Sequence, residues 1–168
     1  MQPQKTAAKT IQTAVLRGPA PGAGMSGCPV HELRAKLRDA GLRPTRQRVA
    51  LGWLLFAKGH RHVTAEKLFE EANTARVAIS LATIYNTLHQ FTEAGLLREI
   101  AVEGAKTYFD TNLSRHHHFL VEGTTDMFDI SCDDVDILRV PEPPEGMEVA
   151  GIDVVVRLRP KSPVASGR

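Results

Sequence analysis

Three consecutive histidines, at positions 116–118, are the side chains of this sequence best suited to chemistry. Side chains in a strand alternate between faces, so His116 and His118 would share one face and His117 would lie on the other. Imidazole and carboxylate groups together suit Fe(II), Mn(II) or Zn(II). Further nitrogen and oxygen ligands elsewhere in the chain are His62, Asp110 and Asp129. Two interpretations stay open, a divalent metal site and a surface histidine run with incidental metal affinity.

A metal-dependent hydrolase is the interpretation from a different functional class. The 168-residue chain contains no His-Glu-x-x-His, no Gly-x-Ser-x-Gly and no glycine-rich loop that could cradle a phosphate. An enzyme is therefore not expected. No apolar run approaches the roughly 20 residues needed to cross a bilayer, and two distant cysteines make no disulfide framework. These features favour a cytoplasmic protein without a membrane partner.

The elements that must position the ligands begin with two predicted helices. Residues 31–40 carry charges between apolar positions, as an amphipathic helix does, and Gly41 ends it. Pro44 is expected in the first turn of a second helix, where its missing N–H is not needed. The buried face of that helix is predicted to contain Val49, Leu51 and residues 53–56. The N-terminal residues 1–27 are rich in Pro, Gly, Ala, Gln and Thr, which predicts a disordered tail.

Two further helices are predicted from their N-cap residues. Thr64 precedes AEKLFEEANTA, and Ser80 precedes LATIYNTLHQFTEAG. Each has a side-chain oxygen that can accept a free N–H group of the first helical turn. Gly95 closes the second of these helices. Its apolar stripe consists of Leu81, Ile84, Leu88 and Phe91.

A β-hairpin and a β-rich C-terminal part complete the expected α+β chain. LLREIAVEGAKTYFDT alternates on both sides of residues 103–105, which predicts a hairpin. Four helices followed by a hairpin are the order of a winged helix-turn-helix. Beyond it, HHHFLVE, MFDIS and MEVAGIDVVVRLRP favour strands, SCDDVDILRV allows a short helix and PEPPEG a turn. A module of about 55 residues buries little core alone, so we expect it to pair with a second copy of itself.

The fourth predicted helix has a polar face that could read DNA. A step of about 100° per residue puts Ala82, Thr83 and Asn86 opposite the apolar stripe and Tyr85 on its flank. Asn86 can bond adenine bidentately, and Ala82 and the Thr83 methyl suit a thymine methyl. No arginine lies on this face, so we infer an A·T-leaning preference. The DNA-contacting residues predicted here are Ser80, Ala82, Thr83, Tyr85 and Asn86, and an ordinary surface helix is the alternative.

The distribution of charge also favours a nucleic-acid contact in the front half of the chain. Residues 1–112 contain 15 lysines and arginines against 9 acidic residues, whereas residues 113–168 contain 6 against 10. A basic half favours a polyanion partner, although charge blocks are more often merely solvated faces. Phosphate contacts, which position a protein without specifying sequence, are expected from Arg43, Arg46, Arg48 and, on the wing, Lys106.

Four segments together resemble the ferric uptake regulator (Fur) family, in order and with suitable spacing. They are GLRPTRQRVAL, HVTAEKLFEEA, SLATIYNTLHQFTEAGLL and GAKTYFD. The likeness covers residues 31 to about 158. With GCPVHEL at 27–33 and the three histidines, it is closest to the iron response regulator (Irr) branch of alphaproteobacteria. The resemblance implies a homodimer that binds promoter DNA and regulates iron or haem genes.

The resemblance also implies a domain organisation. Residues 28–110 would form a winged-helix DNA-binding domain, 111–115 a hinge and 116–160 a small α/β dimerisation domain, with tails at 1–27 and 161–168. Many Fur proteins carry a Cys-x-x-Cys pair shortly after the histidines, where this chain has Val-Glu-Gly-Thr. Because Cys132 stands alone there, a four-cysteine zinc site within one chain is excluded.

Carried over by motif, the family's regulatory metal site falls on residues from both implied domains. Its ligands would be His62, Asp110, His118 and Asp129, with His116 nearby. A second site, within the dimerisation domain, would correspond to His117 and Asp136. The implied ion is Fe, Mn or Zn.

A cysteine directly before a proline, Cys28-Pro29, resembles a haem regulatory motif. A thiolate ligates ferric haem well, and proline lacks the N–H that would donate near the sulfur. In the Irr branch a second haem site is associated with the histidine run, so His117 is the expected second haem residue. We therefore expect a repressor that haem switches off, with a haem-donating enzyme as a candidate partner. An Fe(II)- or Mn(II)-dependent peroxide or metal sensor of the same family is the alternative.

Overall fold

A computed structural model describes residues 29–102 and 106–161 of the chain. Helices and strands are mixed, so the predicted α+β class is confirmed. The helices are α1 Pro29–Asp39, α2 Arg46–Phe56, α3 Ala65–Thr74 and α4 Leu81–Glu93. The strands are β1 His62–Val63, β2 Arg98–Ile100, β3 Tyr108–Asp110, β4 His117–Val121, β5 Met127–Ile130 and β6 Val155–Leu158. The tail predicted at 1–27, Cys28, the hairpin turn at 103–105 and residues 162–168 lie outside the described residues.

Side-chain oxygens cap the N-termini of three of the four helices. Thr64 accepts the N–H of Lys67 at 3.2 Å and Ser80 that of Thr83 at 3.2 Å, as predicted. Thr45 caps α2 in the same way, accepting the N–H of Arg48 at 3.3 Å. Pro44 therefore lies before the cap, and the prediction that it occupies the first turn of α2 is wrong. An extended Thr45 satisfies a free N–H group, which Pro44 has no side-chain oxygen to do.

The helices bury a common apolar core with the first sheet. From the stripe predicted on α4, Ile84, Leu88 and Phe91 are fully buried. On α2 the buried positions are Leu51, Gly52 and Leu55, whereas Trp53 is 41% exposed, which corrects the predicted burial of the tryptophan. Two residues along a helix turn a side chain by about 200°, so Trp53 and Leu51 cannot share a face.

Gly52 lets α1 and α2 approach closely. A methyl group added at Gly52 would lie 2.9 Å from a terminal carbon of Leu33 on α1. Leu33 itself is buried. A larger residue at position 52 would therefore push the two helices apart or displace the leucine.

Two three-stranded sheets follow from the strand pairing. The first has the order β1-β3-β2 and is antiparallel, which confirms the predicted pairing of the hairpin strands and adds the two-residue strand β1. The second has the order β5-β4-β6, with β4 antiparallel to β5 and parallel to β6. His62 is paired with Asp110 in the first sheet, and His118 with Asp129 in the second. The registers thus bring two pairs of predicted ligands together.

The segment between β5 and β6 has little regular structure. A single 3₁₀ turn, Cys132–Asp134, replaces the short helix predicted at 131–140. Aspartates at 133, 134 and 136 favour local bonds to the backbone over helix, and the apolar residues that follow, such as Leu138, remain exposed. The strand predicted at 147–160 is reduced to β6. No helix among the described residues is long and apolar enough to cross a membrane.

Candidate metal centre and nucleic-acid face

Four predicted ligands converge in the interior between the two sheets. The ligand atoms of His62, Asp110, His116 and His118 all lie within 4.8 Å of one another. Measured from Oδ2 of Asp110, Nε2 lies at 2.9 Å in His116, 3.7 Å in His62 and 3.8 Å in His118. An ion about 2.1 Å from each ligand separates neighbouring ligand atoms by about 3.0–3.4 Å. The cluster therefore has nearly the spacing that a bound ion imposes.

Asp129 completes the cluster at its more exposed side. Its Oδ1 lies 3.0 Å from Nε2 of His62 and 3.6 Å from Nε2 of His116, and its side chain is 28% exposed. Burial raises the pKa of Asp129. Contact with His62, the hydrogen bond from Asn112 and the nearby charge of His116 outweigh burial and hold this pKa well below its ordinary value.

Several nitrogen and oxygen atoms of the cluster are buried without a hydrogen-bond partner. They are Nε2 of His62, Oδ2 of Asp110, Nε2 of His116 and both ring nitrogens of His118. Although Nε2 of His116 lies 2.9 Å from Oδ2 of Asp110, neither atom makes a hydrogen bond. An unsatisfied buried polar group costs about 1–3 kcal/mol. One cation at the centre would satisfy all three Nε2 atoms and the carboxylate together.

The charge of the cluster points to a divalent cation. Asp110 is fully buried and Asp129 is partly exposed, and together they place two carboxylates beside three imidazoles. A buried carboxylate is stable only when it is paired or coordinates a metal. A divalent ion cancels two carboxylates, and a mixed imidazole and carboxylate set suits Fe(II), Mn(II) or Zn(II). The residues present therefore fit the metal that the sequence predicts.

The backbone at Ser114 sets the orientation of His116. Nδ1 of His116 lies 2.8 Å from the carbonyl oxygen of Ser114, and because a carbonyl only accepts, Nδ1 carries the proton. In the neutral imidazole, Nε2 is therefore the nitrogen without a proton, and it faces the cluster, as a metal-binding imidazole requires. Sequence reasoning missed Ser114 because a backbone carbonyl leaves no signal in the residue type.

His117 faces away from the cluster, as strand alternation predicts. It is buried, and its Nδ1 accepts the N–H of Val154 at 3.3 Å. Asp136 is exposed beyond the 3₁₀ turn. Within the described ranges, His62, Asp110, His116 and His118 are the one group of metal-binding type that converges, so the second site at His117 and Asp136 stays a prediction.

The predicted DNA-reading face of α4 is open to solvent. Ala82 and Asn86 are exposed, and Thr83 and Tyr85 are half-buried. Ser80 is committed to the helix cap, and its Oγ also lies 2.8 Å from Oγ1 of Thr83. The helix thus buries its apolar stripe and leaves its polar side accessible.

The predicted phosphate contacts divide into exposed and engaged side chains. Arg43 and Arg46 are exposed. Arg48 is half-buried and donates to Oε1 of Gln90 at 2.8 and 3.2 Å and to the carbonyl of Arg43 at 3.0 Å. Its guanidinium group therefore links α2 to α4 by hydrogen bonds.

Glu66, to which no sequence pattern pointed, links α4 to the hairpin. Tyr85 donates to its Oε1 at 2.8 Å, and Nζ of Lys106 lies 3.5 Å from its Oε2. Burial raises the pKa of Glu66, but the hydrogen bond from Tyr85 helps to outweigh it, and this pKa lies below its ordinary value. The same hydrogen bond raises the pKa of Tyr85.

Most of this chain matches a known protein family. A family profile described as "Ferric uptake regulator family" matches residues 39–156. The "Peroxide-responsive repressor PerR" of Staphylococcus aureus (strain Mu50) is 37% identical over 95 residues, which are 55% of this chain and 64% of the relative. The chain therefore spans less than two thirds of the length of this curated relative.

Solved structures share the fold over most of the chain. The ferric uptake regulator of Pseudomonas aeruginosa with manganese has a TM-score of 0.59 and 26% identity, covering 77% of this chain and 98% of that one. The Vibrio cholerae ferric uptake regulator has a TM-score of 0.61 and 22% identity, covering 75% and 98%.

Proposed function

Because this chain belongs to the ferric uptake regulator family, we propose that it is a metal-dependent transcriptional repressor that binds promoter DNA as a homodimer. Members of this family regulate transcription and are not enzymes, which agrees with the absence of hydrolase motifs from the sequence. The observation that carries the proposal is the cluster of three histidines and two aspartates between the sheets.

The placement of the ligands supports a mechanism for the switch. His62 and Asp110 belong to the first sheet, whereas His116, His118 and Asp129 belong to the second or directly precede it. Ligation by all five side chains ties the first sheet, on which α4 packs, to the second. Metal binding stabilises whichever arrangement of the two parts brings these atoms together. In this proposal that arrangement presents α4 to DNA.

On the DNA side, exposed residues of α4 and α2 would make the contacts. Asn86 suits an adenine edge and Ala82 a thymine methyl, which gives the A·T-leaning preference. Arg43 and Arg46 would meet phosphates. Such contacts release counterions, so affinity should fall steeply with salt.

A dimer is proposed from the second sheet and the segment before β6. The second sheet has few buried apolar side chains. Together with those of the hairpin they form a small cluster of Ile100, Tyr108, Leu120 and Met127. Residues 136–151 are exposed throughout, and among them Leu138 is 95% and Met147 68% exposed. A second copy of the chain would remove this apolar surface from water.

Peroxide is the second candidate signal, supported by the 37% identity to a peroxide-responsive repressor. Bound Fe(II), unlike Mn(II) or Zn(II), supplies reactivity toward peroxide, and the mixed imidazole and carboxylate set accepts all three ions. This alternative has more support than regulation by haem. Cys28 lies outside the described residues, and His117 is 5% exposed. Haem regulation, a haem-donating partner and the Irr branch therefore stay predictions.

The test is DNA binding with and without metal. Preferred duplexes are first selected from a random pool with Mn(II)-loaded protein. Affinity for them is then measured by fluorescence anisotropy with Mn(II) and with chelator, and we expect at least tenfold weaker binding in chelator. Asp110→Asn should behave as the chelated protein does, whereas Asp39→Asn, an exposed site on α1, should not. Equal affinity with metal and with chelator would contradict the proposal.

Two additions to the same assay distinguish peroxide from haem as the signal that releases DNA. Peroxide should release DNA from Fe(II)-loaded protein and leave Mn(II)-loaded protein bound. Haem regulation instead predicts release on addition of ferric haem, and a Soret band that shifts in Cys28→Ala.

A further inference from the structure

Asn112 makes hydrogen bonds to both carboxylates of the metal-binding cluster. Its backbone N–H donates to Oδ1 of Asp110 at 2.7 Å, and its side-chain Nδ2 donates to Oδ2 of Asp129 at 2.8 Å. Asp110 ends β3 in the first sheet, and Asp129 lies on β5 in the second. One residue of the connection thus holds an acidic ligand from each side.

These bonds leave one oxygen of each carboxylate facing the imidazoles. Oδ2 of Asp110 is the atom near His116, and Oδ1 of Asp129 is the atom near His62. The other oxygen of each carboxylate is the one that Asn112 occupies. The hydrogen bonds therefore select which carboxylate oxygen can reach a cation.

Asn112 is itself held in place by the connection. Its Oδ1 accepts the N–H of Ser114 at 3.2 Å and the hydroxyl of Ser114 at 2.7 Å. This Asx turn fixes the side chain over its own backbone. Because the carbonyl of Ser114 also orients His116, residues 112–114 set the direction of three ligands.

We propose that Asn112 is the positioning residue of the metal centre and holds Asp110 and Asp129 as single-oxygen ligands. The five side chains would then supply five ligand atoms to the ion, one from each side chain. This inference rests on the proposed metal-dependent function. Outer residues of this kind typically change metal affinity 10- to 100-fold, because they fix ligands before the ion arrives.

Asp129 is the carboxylate that a substitution of Asn112 would release. Every residue except proline keeps the backbone N–H that holds Asp110, so of the two bonds to carboxylates only the one to Asp129 depends on the side chain. Asp129 is partly exposed and has room to turn both oxygens toward a cation, whereas Asp110 is fully buried. Loss of the amide should therefore weaken metal binding and raise the number of oxygen ligands.

The experiment compares Asn112→Ala with Asn73→Ala, the same change at an exposed position of α3. Co(II) is the probe, and its affinity for the full-length protein is measured by competition with a chelator. We expect about 10- to 100-fold weaker binding for Asn112→Ala. We also expect weaker visible absorption per bound Co(II), since six-coordinate cobalt absorbs less than five-coordinate cobalt. Asn73→Ala should match the unsubstituted protein in both measurements.

Each outcome bears on a different claim. Unchanged affinity in Asn112→Ala, or lower affinity with an unchanged cobalt spectrum, would overturn the proposal and leave the metal site intact. Failure of the unsubstituted protein to bind Co(II) would overturn both. Circular dichroism without metal checks folding. If Asn112→Ala does not fold, Asn112→Ser replaces it, because a hydroxyl can keep the bond from the Ser114 amide but does not reach Asp129.

Discussion

Residues 29–110 bury a continuous apolar core among four helices and the first sheet, whereas residues 116–158 bury three histidines and only a few apolar side chains. Leu88 on α4 is fully buried, and Leu138 before β6 is 95% exposed. We therefore expect residues 29–110 to fold without a bound ion or a partner chain. In the proposed function, a cation at the metal centre and a second copy of the chain over the exposed face would supply the stabilisation that the second part's small apolar cluster does not.

The largest expected effect comes from a matched pair of leucine substitutions, one in each of the two parts. Leu88→Ala removes buried methyl groups from the core of the first part, and we expect a loss of about 2–5 kcal/mol in the free energy of unfolding. Leu138→Ala should cost less than about 0.5 kcal/mol in dilute protein, since the side chain is exposed. Urea unfolding measures both.

A higher protein concentration should change only one of these two costs. The cost of Leu138→Ala should grow as concentration rises, because a dimer would bury the side chain. A cost of Leu88→Ala below about 1 kcal/mol would be inconsistent with the core described for α4.

The next largest effect concerns the cation of the proposed metal centre. Saturation of the unsubstituted protein at 100 times its dissociation constant should add about 2.7 kcal/mol to the free energy of unfolding. Asp110→Asn should lose this gain, because it removes a buried ligand and one of the two charges that the ion neutralises. Thermal unfolding with Mn(II) and with chelator tests this, and Asp39→Asn should keep the full gain.

A smaller effect is expected from an ion pair within the first part. Arg61 donates to both carboxylate oxygens of Glu71, at 2.8 and 2.5 Å, and this bond, with burial opposing it, lowers the pKa of Glu71 from 4.5. A carboxyl group whose pKa is lowered by folding stabilises the protein above its unfolded pKa and loses that contribution as pH falls. Glu71→Gln should therefore cost about 1–3 kcal/mol at pH 7.

The same difference should shrink below the ordinary carboxyl pKa of 4.5. Urea unfolding of both proteins at pH 7 and at pH 3.5 provides the measurement. A cost that is equal at the two pH values would show that Glu71 acts through packing and not through its charge.

The last two substitutions test the proposed DNA surface, where the expected effects are on binding and not on folding. Lys106→Ala should reduce the slope of log affinity against log salt by about one and weaken all sequences alike, as loss of one phosphate contact does. Asn86→Ala should instead cost about 1–3 kcal/mol on the selected duplex and little on others. An identical loss on every sequence for both variants would show that α4 does not read bases.

Sequence reasoning succeeded where the physical cause is local. Thr64 and Ser80 were predicted as caps because the bond joins residues three apart, and the buried stripe of α4 follows from helical periodicity. The convergence of His62 with Asp110 was implied only by family resemblance, because strand β1 has two residues and no periodicity of its own. Asn112 was missed because its role depends on two sheets meeting.

The parallel pairing of β4 with β6 has a consequence for how the protein is made. All five predicted ligands precede residue 130, but β6 begins at Val155. On the ribosome, a growing chain therefore contains the whole ligand set before the strand that closes the second sheet has been synthesised. β6 therefore contributes no ligand to the proposed metal centre, and its pairing with β4 completes the second sheet only after every one of these ligands has been made.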